Sequence, residues 1–315
     1  MPGSPAATIR YTWTLIFLEN AFYGGFFVLY TISSLLLYQR RKFLLNQARY
    51  GHGNGLDSAD KERLQTMRFW EITGGIMFAL VTAHWMLTYI LYLGEPPDMS
   101  ARMIVFAKVL LSEATLVVGD LVIIHRLWIV GNKSKLLIAF PLFAMVSFFV
   151  FAIPLSWEYY LVYSRKPLSW ILRQPVWLMG VVASTLSVNV YCTVLMSWKI
   201  WRANRGARRY GGGQLTHVIV ILVESAALYS FWMATVLGLL IARHPFYIDS
   251  YDIATELYGL CTMLISVRVG LGWATGDAER TMQSNMQRVS SWRPATLPPI
   301  AEAGKKSEDD SSMAV

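Results

Sequence analysis

The sequence predicts an all-α integral membrane protein, a bundle of seven transmembrane helices. Hydrophobic residues form 55% of the 315 residues and charged residues only 15%, against about a quarter in an ordinary soluble domain. The apolar residues come in long blocks, which the charged segments separate. A block of about twenty apolar residues crosses the hydrocarbon core as a helix, because lipid offers no hydrogen-bond partner to an open backbone. A soluble helical protein would instead alternate polar and apolar faces.

Seven blocks are long enough to cross the membrane, and we number them as spans in chain order. The first is too long for the core of a signal peptide and has no small-residue cleavage site, so we predict that it is retained. The spans are 12–38, 67–93, 101–131, 136–162, 175–201, 215–241 and 246–273.

Lysine and arginine in the loops predict the orientation. The loops after spans one, three and five carry the basic excess, including RRK at 40–42. These loops should be cytoplasmic, which places the N-terminus outside and the C-terminus in the cytoplasm. The net charge of +8 then reflects topology and contact with anionic lipid at the cytoplasmic loops, and no nucleic-acid partner is expected. The glycosylation sequon at Asn132 should face the cytoplasm and stay unmodified.

The composition also predicts the domain organisation. Residues 1–274 form the seven-helix domain, with a long cytoplasmic loop at 39–66. Residues 275–315 contain three prolines and the run GKKSEDDSS, which cannot bury a core, so we predict a disordered cytoplasmic tail. The plasma membrane or an endomembrane is the expected location.

Ionisable residues inside the spans are the functional candidates, because a charge is costly in lipid. Span three is the most informative. Glu113 and Asp120 are seven residues apart and lie about 20° apart around a helix, whereas Lys108 and Arg126 are eighteen apart and nearly eclipse each other. A helix with two polar stripes cannot present either to lipid, so span three should be central in the bundle.

Counting about 1.5 Å per residue from the middle of each span sorts the candidates into two layers. The inner layer is a predicted charge network, in which Asp120 or Glu224 should meet Arg268 or Arg126 across helices. Its members are Glu71, Asp120, Arg126, Glu224 and Arg268. The outer layer is a candidate ligand-binding site. Its members are Glu19, His84, Lys108, Glu113 and Glu256. For the inner layer a structural or switching role is favoured over catalysis; for the outer layer a ligand pocket and a structural role are evenly matched.

Three strings carry a resemblance: GDLVIIHRLWIV in span three, VESAALYS in span six and ISVRVGLG at the end of span seven. They resemble a family of seven-span membrane proteins of mushroom-forming (basidiomycete) fungi, whose members mostly have no assigned function. The resemblance covers nearly the whole spanning region. It implies seven spans, a variable polar tail and a set of shared residues, but no ligand or reaction. The shared residues are Asp120, Arg126, Glu224, Ser225, Tyr229 and Arg268.

The layout is also similar to that of G-protein-coupled receptors, with an outside N-terminus and a central third helix. Span six has no proline, however, and span seven has no Asn-Pro-x-x-Tyr pattern. A retinal protein is excluded more firmly, since span seven has no lysine for a Schiff base.

The sequence favours a receptor-like sensor of a small or lipophilic ligand, with the inner charges as the switching element. A cytoplasmic signalling partner is expected with it. An integral-membrane enzyme of terpene-cyclase type is a first alternative, with Glu19, Glu113 or Glu256 as the acid. A proton-linked transporter is a second, although the unbroken spans and the lack of repeats disfavour it. The five histidines are scattered and no hydrolase motif occurs, so we expect no metal, no cofactor and, on balance, no enzyme.

Overall fold

The computed structural model of the chain describes residues 5–50, 58–94, 97–132, 134–165, 175–207, 214–244, 246–264 and 266–267. The chain divides into two units, Met1–Trp273 and Ala274–Val315. The second unit lies outside the described residues, and so do Arg268 and the whole of the predicted tail at 275–315. Every feature below belongs to the first unit.

The described residues form seven α-helices and no strand. The helices are α1 (Pro5–Tyr50), α2 (Ser58–Leu93), α3 (Asp98–Val130), α4 (Lys135–Arg165), α5 (Pro175–Ala207), α6 (Gln214–Ile241) and α7 (247–264 with 266–267). The prediction of an all-helical protein is confirmed. Each predicted span overlaps one helix, because backbone in lipid must satisfy its own hydrogen bonds.

Five of these helices are long and apolar enough to cross a membrane. Their apolar parts are Trp13–Lys42, Leu64–Leu93, Lys135–Tyr160, Val176–Arg202 and Val223–Ile241. The other two are interrupted by charged residues, which are Lys108, Glu113, Asp120 and Arg126 in α3 and Asp249, Asp252 and Glu256 in the first half of α7. The chain is therefore a multi-pass membrane protein.

The distribution of side chains agrees with a lipid environment. Large apolar side chains face outward, such as Phe17 at 74%, Phe143 at 71% and Phe231 at 73% exposure. Polar and charged side chains are buried instead, including His84 and Glu256 at 0%. A soluble domain rarely exposes so much large apolar surface.

The segment predicted as a loop at 39–66 is helical at both ends. Helix α1 continues to Tyr50 and α2 begins at Ser58. Hydropathy marks only the part of a helix that lies in hydrocarbon, whereas helical hydrogen bonding continues into the charged residues beyond it.

Helix α3 is central, as its two polar stripes predict. It packs against α2, α4 and α5, and its side chains also bond to α7. Gly119 is what lets α7 approach so closely, because a Cβ at this position would overlap the ring of Tyr258. At the end of α3, Lys199 of α5 donates a hydrogen bond to the carbonyl of Gly131 at 3.0 Å. Asn132 follows with φ of 57°, a conformation that asparagine tolerates better than most residues.

Candidate functional site

Five charged or titratable side chains from four helices meet in one buried group, which we call the outer cluster. Its members are Glu19 of α1, His84 of α2, Lys108 of α3, and Asp252 and Glu256 of α7. His84 lies between the two α7 carboxylates, with Nδ1 at 2.7 Å from Glu256 Oε1 and Nε2 at 3.3 Å from Asp252 Oδ1. Lys108 Nζ donates to the other oxygen of Asp252 at 2.5 Å. One histidine and one lysine therefore hold the two carboxylates of α7.

The outer cluster holds more acid than base. Glu19 is 4% exposed and within electrostatic range of the other four members. Among the described residues, neither Glu19 Oε2 nor Glu256 Oε2 has a hydrogen-bond partner, although both atoms are buried. Buried carboxylate oxygens are costly when unpaired. The cluster can therefore accept a proton or a hydrogen-bond donor at two places.

A wall of aromatic side chains borders the outer cluster on α1 and α2. Tyr23 stacks on Trp85, with ring centroids 4.3 Å apart. Asn20 Oδ1 accepts hydrogen bonds from Trp85 Nε1 at 3.1 Å and from the Tyr89 hydroxyl at 2.8 Å. Asn20 is the residue next to Glu19, so these bonds fix the part of α1 that carries the buried acid.

Asp252 is the member of the outer cluster that sequence reasoning missed. It lies near the start of span seven, where an acid is easily interpreted as a solvated helix end, and its side chain is 24% exposed. Its spacing could have identified it, because Asp252 is four residues before Glu256 and so shares a helix face with it. Asp252 bonds to both basic members and is the hub of the cluster.

Helices α3 and α7 are joined by four polar contacts in register, which we call the α3–α7 seam. From the outer end they are Lys108–Asp252, Ser112–Thr255, Asp120–Tyr258 and Arg126–Ser266. Residue numbers rise together on both helices, so the two helices run parallel. Spans three and seven are both odd-numbered, and the predicted topology gives them the same direction. From Lys108 to Arg126 the seam covers about 27 Å at 1.5 Å per residue, which approaches the thickness of the hydrocarbon core.

Asp120 forms the middle of the seam and is satisfied by hydroxyl groups. Its Oδ1 accepts hydrogen bonds from the Tyr258 hydroxyl at 2.5 Å and from Thr185 Oγ1 of α5 at 3.1 Å. Thr185 also lies 3.3 Å from the hydroxyl of Tyr229 on α6, whose ring packs on that of Tyr258 with centroids 4.2 Å apart. Four helices therefore meet at one carboxylate. In the described part of the structure Asp120 has no arginine partner. Of its two predicted partners, Arg126 bonds elsewhere and Arg268 lies outside the described residues.

Three other inner-layer residues, Arg126, Glu71 and Glu224, lie within the described residues and do not join Asp120 there. Arg126 lies over the ring of Trp70, 4.3 Å from the centroid, and donates to Ser266 Oγ at 3.3 Å. Glu71 accepts a hydrogen bond from Arg41 of α1 at 3.2 Å, close to the surface. Glu224 is exposed on α6. Similar depth along the spans is therefore not enough to bring these side chains together, because their helix faces must also converge.

Glu113 occupies a separate site between α3 and α4. Its Oε2 accepts a hydrogen bond from Ser156 of α4 at 2.7 Å. Both residues line an apolar cavity of 770 Å³. The predicted outer layer is thus two sites, because Glu113 points to the α4 side of α3 and Lys108 to the α7 side.

Comparison of the chain with models of protein families, with characterised proteins and with solved structures gives no match. The resemblance to the fungal seven-span family stays a prediction. Function must be argued from the site itself. Within the described ranges, no group of three or more His, Cys, Asp or Glu side chains has the arrangement of a metal site.

Proposed function

We propose that the protein is a seven-span membrane receptor in which the α3–α7 seam transmits a change at the outer cluster to the cytoplasmic end of the bundle. The observation that carries the proposal is the seam itself. A chain of packed, hydrogen-bonded side chains that joins two rigid helices is the physical element through which two distant sites are coupled.

The outer cluster is suited to be the sensing end. It contains three carboxyl groups against one lysine and one histidine, and two of its buried oxygens lack partners among the described residues. A ligand or proton that satisfies these oxygens changes the attraction that holds Lys108 and His84 to α7. Because that attraction is part of the seam, binding favours one position of α7 over another.

The inner end of the seam is suited to be the responding end. Arg126 is held there by the ring of Trp70 and the single hydroxyl of Ser266. Its Nε and Nη1 are buried and have no hydrogen-bond partner among the described residues. A cation held by so few bonds is easily rearranged, and the loops that follow α1, α3 and α5 are the ones predicted to face the cytoplasm.

The test removes the charge of Asp252 at the outer end of the seam and measures backbone exchange at the inner end of α7. Hydrogen–deuterium exchange of the protein in lipid nanodiscs is compared for the wild type, Asp252→Asn and the surface control Lys135→Met. We expect Asp252→Asn to raise amide exchange at 258–267 of α7 as well as near the substitution. If the change stays within one helical turn of Asp252, the seam does not transmit and the proposal fails.

A second candidate is an integral-membrane enzyme that uses Glu113 as an acid. The observation that favours it is the position of Glu113 at an apolar cavity, where a carboxyl group can protonate an alkene away from water. Incubation with prenyl substrates and mass-spectrometric analysis of products decides between the two. A new product that is lost in Glu113→Gln supports the enzyme function. If the protein is a receptor, we expect no product.

A further inference from the structure

The cavity between α3 and α4 is an apolar crevice that opens on the side of the helix bundle. Among the described residues its walls come from α3 and α4, and they include Phe106, Phe148, Phe149, Trp157 and Tyr160. Several lining side chains are also strongly exposed, among them Ile153 at 68% and Trp157 at 60%. In a membrane this opening faces the acyl chains. The crevice is therefore reached sideways from the bilayer.

The polar part of the crevice is small. Among its lining residues the polar ones are Glu113, Ser156 and, by its hydroxyl, Tyr160. Ser156 already donates to Glu113 Oε2. Glu113 is 8% exposed, and its other oxygen, Oε1, is buried without a hydrogen-bond partner among the described residues. An acceptor at the base of an apolar crevice selects a ligand that brings one donor.

The environment also decides the charge of the ligand. A carboxylate or phosphate would be repelled by Glu113, and an ammonium would have to leave water for hydrocarbon on its way to the crevice. An alcohol crosses the same path at far lower cost. The cavity volume of 770 Å³ is within the range of small-molecule pockets.

We propose that the α3–α4 crevice binds a lipophilic alcohol, with its hydroxyl donating to Glu113 and its hydrocarbon body against the aromatic walls. The ligand enters from the bilayer. This site is separate from the outer cluster, and the inference concerns binding alone, so it holds whether or not the seam transmits a signal.

The experiment uses the full-length protein in nanodiscs and a pair of matched probes. A diazirine derivative of farnesol labels the protein, and the labelled peptides are identified by mass spectrometry. Unlabelled farnesol and farnesyl methyl ether, which lacks the donor, then compete with the label. We expect labelling within α3 and α4, and about tenfold better competition by farnesol, as one additional hydrogen bond implies.

Four variants make the result specific. Glu113→Leu should remove the preference for farnesol over the ether while labelling persists. Ala114→Phe should abolish labelling by filling the crevice, whereas Leu121→Phe, on the same helix but outside the crevice, should leave it unchanged. Glu113→Gln keeps an acceptor without the charge and should show an intermediate preference, which provides the test if the leucine variant does not fold.

Three outcomes would overturn the inference. Labelling at peptides outside α3 and α4 would place the ligand elsewhere. Equal competition by the alcohol and the ether in the wild type would mean that the crevice only takes up acyl chains. A preference that survives Glu113→Leu would mean that the hydroxyl is recognised by another group.

Discussion

At the scale of single residues, the buried charges of this protein are held by partners of different kinds. Lys108 has an acidic partner, Asp120 has hydroxyl partners, and Arg126 has an aromatic ring and one hydroxyl. A buried ion pair is strongly destabilised when one member is removed, since the other is left uncompensated. A carboxylate held by hydroxyls depends less on its charge. The two cases therefore predict different responses to neutral substitution.

Lys108→Met should destabilise the protein by roughly 3 kcal/mol, because Asp252 is left in an acidic cluster without its cation. The double variant Lys108→Met/Asp252→Asn should recover much of this loss. Thermal unfolding in detergent measures both, with the exposed Lys135→Met as the control. Additive losses in the double variant would show that the two side chains do not act as a pair.

Asp120→Asn should change stability by no more than about 1 kcal/mol, because the asparagine carbonyl can still accept from Tyr258 and Thr185. Tyr258→Phe should cost more, since it removes the shorter of the two bonds and leaves a buried acceptor partly unsatisfied. A large loss in Asp120→Asn that is reversed by Arg268→Gln would instead reveal an Asp120–Arg268 pair, one of the pairings that the sequence analysis left open.

At the scale of helices, α3 and α7 form the polar axis of the bundle, while the helices around them are apolar. Close approach of these two helices is needed to bring short side chains such as Ser112 and Thr255 to 2.9 Å. Gly119 permits it by leaving room for the ring of Tyr258. A small residue at a helix interface in a membrane has this effect in general.

Gly119→Ala should lower stability by roughly 1–3 kcal/mol, because the added methyl group forces α7 away from α3. Gly75→Ala provides the matched control, as a Cβ there meets nothing within 4 Å, and it should be neutral or slightly stabilising. Melting temperatures of the two variants in the same detergent make the comparison. Equal melting temperatures would show that the ring of Tyr258 moves aside without loss.

At the scale of the whole molecule, the parallel seam means that α3 and α7 begin at the same end of the bundle. This agrees with three crossings of the membrane between them, by α4, α5 and α6. The predicted orientation places the N-terminus outside and the sequon at Asn132 in the cytoplasm.

The orientation predicts that Asn132 carries no glycan in cells, while a sequon added to the N-terminus is glycosylated. A mobility shift on glycosidase treatment is the measurement for each variant. A cytoplasmic C-terminus should in addition be accessible to antibody only after the plasma membrane is permeabilised. A glycan on Asn132 would invert the topology and would move the outer cluster to the cytoplasmic side.

The helical fold, the seven apolar blocks and the central position of α3 were all predictable from the amino-acid sequence. These follow from composition and helical geometry, because lipid forces backbone hydrogen bonds into helices and charges onto the inner faces. Four of the five outer-cluster residues were also predictable, as they are ionisable groups at similar depth.

Which of these groups meet depends on how the helices pack, and it is seen in the structure rather than in the sequence. Depth along a span follows from residue number, but the direction that a side chain faces depends on how each helix is rotated and packed. Glu113 and Lys108 are five residues apart on one helix, yet rotation places one at the α4 crevice and the other against α7. Asp252 joins the outer cluster because α7 packs with this face toward α2 and α3. Tyr258 reaches Asp120 because Gly119 leaves space for it, and no pattern in the sequence specifies that contact.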